Sequence, residues 1–361
     1  MRDRAQLEES IQRFQDSFWG RKGTHRPPVG IYNAGIFLPI NLMRRPFPEH
    51  VVNPEDVTPE VVMTEYEYWF NERDRDLSSD DLLAFSAPWR AIPWLEACCG
   101  CSVRYAEGSL AAGHFVGSLD ELETVPIPGR NAWFDCMRRQ TEWLENQAPS
   151  DCWISPSILR GPSDILAAMR GLTNFFMDLH DNPKAIRKAA GRVNQVLLNA
   201  LDMHFSIVKP KLGGYGHIYG YWAPGKTIVI QEDAMGMASP AAYQDIFFEY
   251  NVEVVKHLGP YVLFHLHTTG YKHYRNVLRI PGIAGLEMSI EDMGPSLLQL
   301  LPVFREILED SRLVLLVGGY FEQLQEVLRK LPRQGLYLVI SSGRIRSDKE
   351  LRQFISSVWN D

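Results

Sequence analysis

Short apolar runs alternate with helix-periodic segments along most of this chain. Runs with the length of a buried strand occur at PPVGIYN, LLAFSAPW, CWISPS, YVLFHLH, IAGLEMS, LVLLVGG and LYLVISS. Segments with helical periodicity separate them, which is typical of parallel strands joined by helices. The last four runs follow one another at intervals of roughly 20 to 30 residues, the spacing of a (β/α)8 barrel.

The complete barrel requires a fourth strand, which is the least distinct and falls somewhere between Ile218 and Asp233. Residues 1–20 have helical periodicity and precede the first strand. The pattern therefore predicts an α/β fold, a (β/α)8 TIM barrel with an N-terminal helical extension, as a single domain over residues 1–361.

Composition narrows the class of protein without changing this fold. The 361 residues are 45% hydrophobic and 22% charged, which is ordinary for a globular chain. A net charge of −7 argues against nucleic acid as a partner. The sequence contains neither an apolar run of the roughly 20 residues that span a bilayer nor a signal-peptide pattern, so we expect a cytoplasmic protein without a membrane partner.

Five cysteines, an odd number, argue against a disulfide framework. Cys98, Cys99 and Cys101 lie close enough in sequence to suggest a metal cluster, but no second C-x-x-C pair accompanies them. We interpret them, with Cys136 and Cys152, as buried thiols that act as small hydrophobic residues. Signatures of other enzyme classes, the P-loop, the G-x-S-x-G elbow and the dinucleotide fingerprint, are missing from the sequence.

The most specific chemical pattern is His265-Leu266-His267 at the end of a predicted strand. Residues two apart on a strand point to the same face, so both imidazoles can face the barrel axis. Glu287 ends the next strand and is expected beside them. Two histidines and a glutamate form a common catalytic zinc site with an open fourth position. The spacing alone equally allows that one histidine only satisfies a buried carbonyl group.

Other polar or aromatic residues at predicted strand ends are candidates for catalysis or binding. Asp233 fits a catalytic base, a substrate anchor, a further metal ligand, or a carboxylate bound to loop amides. The glycine-interrupted stretch from Tyr215 to Trp222 fits a binding loop about as well as a hydrophobic core. The candidate substrate-binding residues are Asn33, Trp89, Arg160, Tyr219 and Trp222.

Several segments, taken in order, resemble the uroporphyrinogen decarboxylase superfamily. They are IPWLEA (92–97) with Gly100 and Cys101, LRGPSD (159–164), QED (231–233) followed by Ser239 and Pro240, HLHTTG (265–270) and ISSGR (340–344). The decarboxylase branch carries R-Q-A-G-R-Y near its N-terminus, F-S-D on its second strand and G-H-G on its last. This chain has YNAGIFLPINLMRR, Phe85-Ser86-Ala87 and Ser341-Ser342-Gly343 in those places. The resemblance is therefore closer to the zinc-dependent corrinoid methyltransferases.

That branch places H-x-C on the fifth strand and a cysteine on the eighth. Here His265-x-His267 and a serine, Ser341 or Ser342, stand there. Glu287 would then complete the site, as a sixth-strand glutamate does in the similar zinc site of cobalamin-independent methionine synthase. The resemblance favours a zinc site of His265, His267 and Glu287. From their positions at strand ends we predict catalytic roles for Asp233 and Glu287.

The implied function is methyl transfer between a small methylated substrate, such as a methyl ether, and a separate corrinoid (cobalamin) protein. Two alternatives stay open: a metal-free decarboxylase using Asp233 and Arg160, and a non-catalytic tetrapyrrole-binding barrel. The sequence also leaves open whether the barrel pairs into a homodimer.

Overall fold

Strands and helices alternate along the chain. The computed structural model describes residues 4–22, 26–32, 51–63, 79–106, 109–127, 129–341 and 343–359. Asn33 and Ser342, two of the candidate residues, lie outside the described residues. The strands are β1 (Val29–Ile31), β2 (Val51–Val52), β3 (Ala84–Ser86), β4 (Ser102–Ala106), β5 (Ser109–Gly113), β6 (Cys152–Ile154), β7 (Tyr215–Gly216), β8 (Trp222–Ala223), β9 (Val229–Ile230), β10 (Leu263–His267), β11 (Gly285–Ile290), β12 (Arg312–Val317) and β13 (Leu336–Ile340).

Helices connect most of these strands. The α-helices span Arg4–Arg13, Trp94–Cys98, Leu119–Thr124, Ala132–Gln147, Pro162–Arg170, Leu172–Asp181, Pro183–Ile207, Pro240–Ile246, Phe248–Leu258, Tyr274–Leu278, Leu297–Asp310, Phe321–Arg329 and Asp348–Trp359. A π-helical turn, Phe14–Trp19, continues the first of them, and short 3-10 helices follow β9 (Asp233–Met237) and β10 (Thr268–His273). Among the helices described, none has the length and apolar character to cross a lipid bilayer.

A six-stranded parallel sheet is the centre of the fold, in the order β1–β13–β12–β11–β10–β9. Strands β3 and β6 form a separate parallel pair. The strands of the sheet and of the pair correspond to the predicted runs, with β9 as the fourth. The prediction of an α/β fold built on parallel strands is therefore confirmed.

Hydrogen bonds connect the pair to both edges of the sheet. Asp81, just before β3, donates its backbone N–H to the carbonyl of Val29 on β1 over 2.6 Å. At the opposite edge Arg160, which follows β6, forms a parallel bridge with Gln231, which follows β9.

The two faces of the sheet belong to two different hydrophobic cores. On β10, Phe264 and Leu266 lie in the larger core, whereas Leu263 lies in the smaller one. Phe14, from the N-terminal helical segment, also enters the smaller core, where its ring centroid is 5.0 Å from that of Tyr337 on β13. Because strand residues alternate between faces, His265 and His267 continue the face of Leu263 toward the C-terminal end of β10.

Residues 102–113 contain an element that the sequence pattern did not predict. Strands β4 and β5 form an antiparallel hairpin, and β2 pairs with β4. The five cysteines are buried with free thiols. Burial raises the pKa of the Cys98, Cys99 and Cys101 thiols, which agrees with their interpretation as apolar residues of the core.

Candidate metal centre

Three potential metal ligands meet at the C-terminal ends of β9 and β10. Asp233, His265 and His267 each offer a ligand atom, and these atoms all lie within 4.8 Å of one another. Asp233 Oδ1 is 3.7 Å from His265 Nε2 and 3.6 Å from His267 Nε2. A tetrahedral zinc ion separates such ligand atoms by roughly 3.3 Å. Small side-chain movements would therefore close this group around an ion.

Local backbone structure holds Asp233 in place. The 3-10 helix begins at Asp233, separated from the end of β9 by two residues. The backbone N–H groups of Asp233 and Ala234 donate to Asp164 at 2.9 and 2.6 Å. Gln231 Nε2 donates to Asp233 Oδ2 at 2.7 Å. These bonds leave Oδ1 of Asp233 facing the two histidines.

Glu287 lies beside the histidines, as predicted, but on the other side of His265. The parallel register pairs His265 with Glu287, so their side chains share one face of the sheet. Glu287 Oε2 contacts His265 Nδ1, whereas Asp233 faces Nε2. In this arrangement Asp233, and not Glu287, is the carboxylate that faces Nε2 of both histidines, and the metal-ligand role of Glu287 stays a prediction.

Each histidine has a carboxylate at its Nδ1. Ser289 Oγ donates to Glu287 Oε1 at 2.9 Å, which orients that carboxylate toward His265. His267 Nδ1 lies 2.8 Å from Glu291 Oε1. The hydrogen bond between His265 Nδ1 and Glu287 favours the tautomer whose Nε2 carries a free lone pair, the usual arrangement around metal-binding histidines. Nδ1 of His267 lies near Glu291 but makes no hydrogen bond within the described residues.

The donor set fits a divalent metal ion. His265 Nε2 is buried and has no hydrogen-bond partner among the residues described. A buried polar atom without a partner is uncommon and calls for an explanation, such as an ion bound in its place. Imidazole nitrogens with one carboxylate are ligands that zinc accepts, and they also accept other divalent ions.

Charge interactions couple these ligands to one another. Burial raises the pKa of the Asp233 carboxyl, but its contacts with His267 and His265 outweigh burial and hold that pKa below its ordinary value. Contact with Asp233 raises the pKa of His267, against the effect of burial. Burial lowers the pKa of His265, but the charge of Glu287 outweighs burial, and the net shift is upward.

The aromatic stretch from Tyr215 to Trp222 forms the short β7–β8 hairpin, and several of its rings stack. The His217 ring centroid is 5.4 Å from that of Tyr219 and 5.1 Å from that of Tyr221. Tyr219 Oη lies 3.3 Å from His265 Nδ1. This stretch, whose sequence fits a binding loop and a hydrophobic core about equally, is therefore largely buried, and Tyr219 packs behind a metal-ligand candidate.

The other candidate residues lie in different surroundings. Arg160 Nη1 donates to Glu96 Oε1 at 2.9 Å. Trp89 is buried in the larger core, and Trp222 in the smaller. The roles of Trp89, Arg160 and Trp222 in substrate binding stay predictions.

Sequence reasoning missed several residues that support the centre. Glu291 follows the last residue of β11, so its strand-end position was a usable signal. Ser289 lies two positions after Glu287 on the same face of β11, which alternation could have revealed. Asp164 and Glu96 appeared in the sequence analysis only within the segments LRGPSD and IPWLEA, without a role of their own.

Comparisons with known proteins show a shared fold. No protein-family model matches the sequence, and no curated protein matches it. Among solved structures, the chain is similar to a methyltransferase from Methanosarcina mazei, with a TM-score of 0.59 and 11% identity over 98% of this chain and 97% of that one. The two chains therefore share a fold along almost their whole length, while the resemblance to the uroporphyrinogen decarboxylase superfamily stays a prediction.

Proposed function

We propose that this protein is a zinc-dependent methyltransferase. It would move a methyl group between a small methylated substrate, such as a methyl ether, and a corrinoid carried by a separate protein. The observation that carries the proposal is the group formed by Asp233, His265 and His267, with a carboxylate behind each histidine. The fold shared with a methyltransferase from Methanosarcina mazei supports the same reaction class.

The proposal includes a closed (β/α)8 barrel. The hydrogen bond from Asp81 to Val29 and the bridge between Arg160 and Gln231 link the β3–β6 pair to both edges of the six-stranded sheet. The smaller core would then fill the inside of the barrel, with Phe14 at one end. The candidate centre lies at the C-terminal ends of the strands, where barrel enzymes place their active sites.

The residues of the centre would have distinct roles. Asp233, His265 and His267 would hold the metal ion, while Glu287 and Glu291 orient the histidines. When bound, the ion would supply positive charge that stabilises the heteroatom losing its methyl group. The smaller core beneath the site excludes water from one side, which strengthens these charge interactions.

The proposal predicts that the purified protein binds zinc and that His267→Ala loses it. We expect near-stoichiometric zinc in the wild type by elemental analysis. Changing an outer-shell partner of a metal ligand lowers metal affinity by at most about 100-fold. Removing a direct ligand should therefore weaken zinc binding by more than about 100-fold. His180→Ala, which changes an exposed histidine, is the matched control and should retain the metal.

Methyl transfer itself is tested with a methyl ether and reduced cobalamin, followed by the absorbance of methylcobalamin. We expect formation of methylcobalamin by the wild type and His180→Ala, and none by His267→Ala. A wild type without metal after metal-replete expression would contradict the proposal. It would favour the metal-free decarboxylase using Asp233 and Arg160, or the non-catalytic tetrapyrrole-binding barrel.

A further inference from the structure

His273 is a buried histidine that lies outside the group of candidate metal ligands. It ends the 3-10 helix Thr268–His273, which begins directly after His267. The residue is only 2% exposed, and neither of its ring nitrogens has a hydrogen-bond partner among the residues described. Buried polar side-chain atoms usually have a partner, so the surroundings of this ring need an explanation.

The ring lies close to the end of the 3-10 helix that begins at Asp233. Burial and the charge of Lys272 lower the pKa of His273, whereas the backbone carbonyl groups of Met235 and Ala238 act in the opposite direction. The net shift of the pKa is downward, so the imidazole is neutral at pH 7 and carries one N–H donor. A carbonyl oxygen has two lone pairs, so this donor has two possible acceptors at the end of the neighbouring helix.

The two 3-10 helices also touch each other through glycine. A Cβ added to Gly236 would lie 3.8 Å from the Cα of Gly270, and one added to Gly270 would lie 3.6 Å from the Cα of Gly236. Asp233 is the first residue of one helix, and His267 directly precedes the other. The spacing between the two helices therefore helps to set the 3.6 Å between Asp233 Oδ1 and His267 Nε2.

We infer that His273 is a positioning residue of the metal centre. Its ring N–H donates to the carbonyl group of Met235 or Ala238, and this hydrogen bond fixes the spacing between the two 3-10 helices. The Tyr243 ring, whose centroid is 5.8 Å from that of His273, packs on the imidazole and limits its rotation. His273 acts through Asp233 rather than by binding the ion. The inference rests on the proposed function for the presence of that ion.

Three variants separate the hydrogen bond of His273 from its packing. His273→Phe keeps a planar ring without a donor, whereas His273→Asn and His273→Gln carry an amide N–H near the positions of Nδ1 and Nε2. We expect zinc affinity, measured by competition with a chromophoric chelator, to fall about 10-fold in His273→Phe, the lower end of the effect of outer-shell partners. One of the two amide variants should restore most of the affinity. Unchanged affinity in His273→Phe, or a loss that neither amide restores, would overturn the inference.

His204→Phe is the matched control for the loss of a buried imidazole. His204 lies on the helix Pro183–Ile207, is also 2% exposed, and has an Nε2 without a hydrogen-bond partner among the described residues. Circular dichroism during heating compares the stability of all variants. We expect His204→Phe to keep the zinc affinity of the wild type even where its stability falls. An equal loss of zinc affinity in His204→Phe and His273→Phe would show a general effect of stability and overturn the inference.

Nuclear magnetic resonance of protein with ¹⁵N-labelled histidine tests the hydrogen bond without any ion. We expect a hydrogen-bonded ring N–H that is lost in His273→Phe and retained in His204→Phe. This signal in a wild type that binds no zinc would support the link between the helices and remove the zinc-dependent methyltransferase. Zinc binding by a wild type whose His273 has no hydrogen-bonded N–H would retain the metal centre and overturn the inference.

Discussion

Replacing Asp81 by alanine is expected to lower the free energy of unfolding by about 3 to 5 kcal/mol, because two buried or nearly buried cations lose their counter-ion. Asp81 is fully buried and lies 2.7 Å from Arg13 and 2.6 Å from Arg26. It also accepts hydrogen bonds from Ser10 Oγ and from the backbone N–H of Val29, both at 2.9 Å. One carboxylate therefore joins the N-terminal helix to the start of β1.

Urea denaturation followed by circular dichroism measures this effect. Asp202→Ala is the control, because Asp202 pairs with His257 at the surface, where an ion pair contributes at most about 1 kcal/mol. Similar losses of stability in the two variants would show that the Asp81 cluster is not a structural anchor.

Acid should remove the contribution of Asp81 even without a mutation. Burial raises the pKa of Asp81, but the charges of Arg26 and Arg13 and the N–H of Val29 outweigh burial and lower the pKa to about 2. A lowered pKa gives stability that is present above the unfolded value of about 3.9 and is lost as pH falls through the folded value. The stability difference between the wild type and Asp81→Asn should therefore shrink between about pH 4 and pH 2. A difference that stays constant over this range would contradict the assignment.

The parallel strands and the histidine pair were predictable because both depend on local pattern. Apolar runs bounded by helical segments identify β10 to β13 from the sequence alone. Alternation along β10 then places His265 and His267 on one face, at the strand end where sites are built. Each of these inferences needs only the residues of one strand.

Which ring nitrogen of His265 Asp233 and Glu287 each face was not predictable, because it depends on register and rotamer. The sequence indicates that Glu287 comes close to His265, and the pairing of β10 with β11 agrees. It does not indicate which ring nitrogen the carboxylate meets. That choice follows from Asp164, which holds the start of the 3-10 helix and so presents Asp233 to the opposite nitrogen.

Buried aromatic residues illustrate a second limit. Trp89 and Trp222 stand near predicted strand ends, where a binding role is a reasonable prediction, and each is buried in one of the two hydrophobic cores. A tryptophan has the same signature in sequence whether it lines a pocket or fills a core. Packing between elements decides between the two roles, and a strand pattern does not contain that information.

Variants of Asp233 and Glu287 should lose different amounts of zinc affinity, and the difference should show which carboxylate binds the ion directly. Asp233→Ala removes a carboxylate that the proposed site uses as a direct ligand, so zinc affinity should fall by more than about 100-fold. Glu287→Gln keeps the shape of the side chain but weakens the support of His265, and outer-shell changes of this kind cost about 10- to 100-fold. Ser289→Ala, which removes only the hydrogen bond to Glu287, should have a still smaller effect.

Competition with a chromophoric zinc chelator measures all three variants on one scale, and His180→Ala again controls for unspecific effects. The expected order of loss is Asp233→Ala, then Glu287→Gln, then Ser289→Ala, because each successive group is one contact further from the ligand atoms. If Glu287→Gln instead abolished zinc binding while Asp233→Ala retained it, Glu287 would be the third ligand. The ion would then lie on the Nδ1 side of His265, which already faces Glu287, and Asp233 would be free to serve as a catalytic base.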